Sequence, residues 1–68
     1  MIRVTSINLN PMKKTAYVSL FSDTKDEITS GMTVEGLPEG YEIEFGSSVM
    51  TASGELAFMK SDGTWNWT

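Results

Sequence analysis

The 68-residue chain contains no cysteine and no histidine. The first absence excludes disulfides and thiolate metal sites. The second removes the commonest general base and the commonest zinc ligand. No triad or Cys–His pair can be assembled from what remains. Basic residues are also scarce: five Lys and Arg stand against nine Asp and Glu, for a net charge of −4. Nucleic-acid binding needs a basic footprint, so no nucleic-acid partner is expected. An anionic membrane surface is disfavoured for the same reason. No run approaches the ~20 apolar residues of a membrane span. The opening "MIRVTSINLN" lacks the continuous apolar stretch of a signal peptide. The expectation is a protein made in the cytosol.

A chain this short is one domain at most, residues 1–68. It buries only about 60% of the surface its unfolded form exposes, and a single small core supplies roughly 3–5 kcal/mol. With disulfides, thiolate metal sites and histidine ligands excluded, a partner or self-assembly is the staple left; the alternative is an unaided, marginally stable domain.

What the sequence does have is alternation at period two. "IRVTSINL" puts Ile2 and Val4 on one parity, then Ile7 and Leu9 on the other. A regular strand cannot do this and keep one face buried. A bulge near Thr5–Ser6 would repair the phase; the alternative is a strand covered on both faces. After the turn signal Asn10-Pro11, "TAYVSLF" (Thr15 to Phe21) is apolar on both faces and reads as a central strand. "SDTKDE" is a polar break with room for one helical turn, which Ser22 or Asp23 could cap. Short strands are predicted through Met32–Glu35 and Tyr41–Phe45, joined by "GLPEG". In the second, Tyr41, Ile43 and Phe45 are expected inside, with Glu42 and Glu44 in water.

The last third predicts three strands, Ser48–Thr51, Glu55–Lys60 and Thr64–Thr68, with turns at Ser53-Gly54 and Asp62-Gly63. Asp-Gly suits a two-residue type I′ turn. That turn pairs Lys60 with Trp65, Met59 with Asn66 and Phe58 with Trp67. Trp65 and Trp67 then share a face with Phe58, where they either pack across strands or form a contact surface for a partner. The fold expected is all-β: an antiparallel meander, sandwich or partly open barrel of five or six short strands.

Chemistry-bearing constellations are thin. Lys60 stands beside Ser61, but neighbouring strand residues point to opposite faces. Glu42 and Glu44 would be same-face carboxylates about 7 Å apart, the range of glycosidase pairs, on a solvated strand face without a cleft. Asp23, Asp26 and Glu27 do not fit the ligand spacing of a calcium loop. The glycines match no phosphate-binding pattern. No enzyme activity, cofactor or small-molecule substrate is expected.

The stretch from about Gly40 to Thr68 resembles the small proteins encoded among the head and tail genes of Firmicute-type phages and prophages. The resemblance lies in "FGSSVMTASGELAFMKSDGTWNWT": a glycine–serine pair opening a strand, a hairpin, and a closing "-DG-x-W-" strand. It covers under half the chain and brings no residue roles with it. It implies a minor virion component: capsid-decorating, fibre-base or tail-associated. The expected function is then a non-enzymatic structural or assembly protein, made in the host cytoplasm and carried in the virion. It would contact other virion proteins or further copies of itself through Phe58, Trp65 and Trp67. The alternative is an acidic inhibitor of a host nucleic-acid-binding defence protein. Seven acids (Asp23, Asp26, Glu27, Glu35, Glu39, Glu42, Glu44) and one base lie between Ser22 and Phe45, so that segment carries −6 and the remainder +2. Such a surface could mimic phosphate charge.

Overall fold

The computed structural model describes all of residues 1–68. The strands are β1 (Ile2–Asn10), β2 (Thr15–Ser22), β3 (Glu42–Ile43), β4 (Ser48–Thr51), β5 (Leu56–Met59) and β6 (Trp65–Trp67). The one helical element is a 3-10 turn at Lys25–Glu27, where Thr24 makes no side-chain cap. The protein is all-β, one open six-stranded sheet ordered β1-β2-β4-β5-β6, with β3 also on β2. It does not close into a barrel.

The bulge in β1 falls where the phase change requires it. Ile2 and Val4 oppose Ser22 and Leu20; the register then shifts between Val4 and Ser6, and Ile7 and Leu9 oppose Val18 and Ala16. Thr5 is the extra residue, and its hydroxyl donates to the Ser19 carbonyl at 2.9 Å. All four apolar residues of β1 thus face the same side as the apolar row of β2.

β4, β5 and β6 form the expected antiparallel meander. β2, however, runs parallel to both β3 and β4. A parallel neighbour needs a crossover of a dozen residues or more. The segment from Asp23 to Ser47 supplies it, passing over one face of the sheet. The strand expected at Met32–Glu35 does not form. Its apolar residues Met32 and Val34 pack with Leu37 against the core instead; they cover the sheet rather than extend it. The strand expected at Tyr41–Phe45 shrinks to Glu42–Ile43, and Phe45 is exposed rather than inside.

The reason for that shortening lies in a turn. β3 and β4 are two pieces of one line beside β2, interrupted at Glu44–Ser47, where the Ser47 N–H donates to the Glu44 carbonyl at 3.1 Å. Gly46 takes φ +91° there, with the Tyr17 ring 3.3 Å from where a Cβ would stand. The interruption would orphan the buried N–H of Val18. The fully buried Ser47 hydroxyl accepts it at 3.0 Å.

The core is Ala16, Val18, Leu20, Ile28, Val49 and Ala57, with Met59 also buried. Burying a Val or Leu side chain stabilises the fold by about 1.5–3 kcal/mol. This core occupies only the side of the sheet that the crossover covers.

Candidate interaction surface

The tryptophans are placed by the last hairpin. The Lys60 carbonyl accepts from Gly63 N–H at 3.1 Å, and Lys60 N–H donates to the Thr64 carbonyl at 2.8 Å. Gly63 has φ +86°, whereas Asp62 is not among the positive-φ residues. A type I′ turn needs positive φ at both of its central residues. The loop is therefore three residues, Ser61-Asp62-Gly63, a type I turn closed by a glycine bulge. Asp62 stiffens it by accepting from the Thr64 hydroxyl at 2.6 Å and the Thr64 N–H at 3.0 Å. Those two bonds, the hydroxyl's foremost, hold the Asp62 carboxyl below its ordinary value.

One extra loop residue shifts the register by one. Met59 pairs with Trp65, Phe58 with Asn66 and Ala57 with Trp67. Both tryptophans therefore lie on the core face, and the expected alignment of Phe58 with Trp67 is corrected: Phe58 points the other way. On the core face the tryptophans hold the crossover. Trp65 Nε1 donates to the Thr29 carbonyl at 3.2 Å. Lys25 Nζ sits 5.4 Å from the Trp67 ring centroid and 3.8 Å from Glu55 Oε2. Their alternation near the chain's end fastens the last strand to the layer that covers the core.

The opposite face of the sheet has no cover. The crossover passes on the other side, and the remaining loops are tight hairpins. This face carries Tyr17, Ser19 and Phe21 from β2, Ser48 and Met50 from β4, and Leu56 and Phe58 from β5, by register. Tyr17, Met50 and Phe58 are 44%, 49% and 45% exposed, high for large apolar side chains in regular strands. The small residues Ser19 and Ser48 lie between larger ones, and Thr5 stands at the bulge. The result is a groove of about 320 Å³ with Phe21, Met50 and Leu56 among its walls. β2 was legible as apolar on both faces, which correctly implied a central strand. The same pattern marks this second apolar face.

Most of the acidic set lies on the crossover. Asp23, Asp26, Glu27, Glu35 and Glu39 belong to the crossover, Glu42 to β3, and Glu44 to the turn after it. Asp23 and Glu27 are not free charges. The Met1 amine donates to Asp23 Oδ2 at 2.9 Å and to Glu27 Oε1. Glu27 is held below its ordinary carboxylate value, first by the amine and then by the Ser22 hydroxyl. The amine is raised, first by Glu27 and then by Asp23. Asp26, Glu35, Glu39 and Glu42 are exposed and Glu44 is half-buried.

Lys60 Nζ lies 3.9 Å from Asp62 Oδ2, an ion pair between two exposed side chains. No group of three Asp or Glu side chains is placed to hold a metal ion. No helix is long and apolar enough to cross a membrane. No known protein family, characterised protein or solved structure matches the chain.

Proposed function

We propose that this chain is a non-enzymatic structural or assembly protein acting by protein–protein contact, and that its setting is a phage particle. The observation that carries the contact reading is the uncovered apolar face of the sheet. Contiguous apolar patches left exposed on small proteins mark interaction sites. Phe58 belongs to that surface; Trp65 and Trp67 support it from behind by fixing β6 and the crossover. The phage setting rests on the resemblance of the C-terminal stretch to head- and tail-region proteins. In that setting the chain is made in the host cytoplasm and carried in the virion.

The test is incorporation. Particles purified from a host carrying the gene should contain the wild-type chain by mass spectrometry, and a Phe58→Lys variant that folds should be depleted from them. Absence of the wild-type chain from every particle fraction would overturn the virion reading. Salt-labile capture of the chain by a host protein, lost on neutralising Glu35 and Glu39, would favour the inhibitor instead.

A further inference from the structure

We infer that the occupant of the uncovered face is a second copy of this chain, related by a two-fold axis lying in the interface and crossing the strands. The inference rests on the contact reading above and names its partner.

Three features of the molecule support it. The first is charge segregation. The −6 segment is the crossover with β3, and the crossover lies on the far side of the sheet. By register the open face carries Arg3, beside Phe21, and Lys60, beside Thr64; of the acidic segment it carries Glu42, beside Thr15 at the sheet's end, and by alternation the half-buried Glu44 that follows it. Two copies meeting by this face keep their acidic layers outermost. A sheet and its cover lie about 10 Å apart, so those layers are separated by well over the ~8 Å Debye length of physiological salt. The same layers repel a third copy, so the assembly closes as a dimer instead of growing.

The second feature is area. The molecule is a slab with Cα extents of 35 × 22 × 16 Å. Its broad face spans 35 × 22 Å between Cα atoms, enough to carry the ~800 Å² of accessible surface that each partner buries in a standard interface.

The third is shape. The groove lies at the Ser22 end of β2, between Phe21, Met50 and Leu56. A knob, Tyr17, lies on the same face at the Thr15 end, its ring fixed over Gly46. A two-fold across the strands brings the Tyr17 of each copy over the groove of the other. This reciprocity defines an isologous contact. Arg3 of one copy then comes over Asn8 and Asn10 of the other, and no charged side chain faces its own kind. The product is a two-sheet sandwich with aligned strands.

Sedimentation equilibrium of the purified chain, from low micromolar to about millimolar and at low and high salt, tests this. The expected species has twice the 7.5 kDa chain mass and persists at about 1 M salt. Met50→Lys and Tyr17→Ser, each checked for an intact fold by far-ultraviolet circular dichroism, should weaken the dimer roughly ten-fold or more. Glu35→Lys, on the crossover, should leave it unchanged. Peroxide footprinting should show Met50 protected in the dimer. A monomer throughout, or a dimer indifferent to Met50→Lys and Tyr17→Ser, overturns the inference. A monomer whose Met50 is nonetheless protected in purified particles overturns the second copy and keeps the contact reading. A monomer whose Met50 stays reactive in particles overturns both.

Discussion

Ser47 shows how much one hydroxyl can decide. It is the residue that lets β3 and β4 break without leaving β2 an unpaired donor. Ser47→Ala removes the acceptor of the Val18 N–H and leaves that group buried and dry. The expected loss is about 1–3 kcal/mol, read as a lower urea midpoint; an unchanged midpoint would mean that another acceptor reaches Val18. Leu20→Ala, in the covered core, is expected to cost roughly 2–5 kcal/mol. Two carboxyls bear on the acid limb of stability. Asp62 and Glu27 are both lowered on folding. A depressed carboxyl stabilises the fold above its unfolded value, and that contribution is lost as the pH falls through the folded value. The urea midpoint should therefore fall below about pH 4. Asp62→Asn should flatten this limb; a limb unaltered in both Asp62→Asn and Glu27→Gln would remove these residues as its source. The Met1 amine works in the opposite sense. Its raised value makes its contribution complete below its ordinary value of 8.0 and lost at higher pH.

The elements differ in how openly the sequence declares them. The β1 bulge was legible because a phase error in an apolar row admits few repairs, and the structure puts the extra residue at Thr5. The last three strands were legible because glycine-bearing breaks separate them. Their register was not. "SDG" can close a hairpin as a two-residue or a three-residue loop, and only the backbone angle of Asp62 decides. That single residue of difference carried Trp65 and Trp67 from the face of Phe58 to the core. The parallel pairing of β2 with β4 left no local mark, because it is a long-range choice made by the crossover. Met32 and Val34 therefore read as a strand when they are a cover. Of the contact surface, Phe58 was singled out, while Phe21, Met50 and Leu56 were missed. Each looks like half of an ordinary alternation until the topology shows which half is covered. Deleting Ser61 tests the register directly. A two-residue Asp62-Gly63 turn would still join Lys60 to Thr64, so Met59 should stay opposite Trp65 and both tryptophans should stay on the crossover. Their fluorescence should be unchanged. A shift to the red would show that the third loop residue, and not the pairing of Lys60 with Thr64, holds the tryptophans in place.

At the scale of the whole molecule, the covered and uncovered faces are coupled through the same strands. Val18, Leu20, Val49 and Ala57 face the core, while Tyr17, Phe21, Met50 and Phe58 alternate with them outward. Ordering β2, β4 and β5 against a second copy therefore orders the core rows as well. Only ten residues are buried in the isolated chain, and neither a disulfide nor a histidine-held metal can staple the sheet. Association should then appear as stability. A partner that binds only the folded chain stabilises it by RT ln(1 + [L]/Kd), about 2.7 kcal/mol at a hundred times Kd. The urea midpoint of the wild-type chain should rise with protein concentration across the range in which the dimer forms. In Met50→Lys it should be independent of concentration and should match the wild type at high dilution. A wild-type midpoint that ignores concentration while the dimer is present would uncouple the two faces. The core on the crossover side would then be sufficient by itself, and the outward row would serve contact alone.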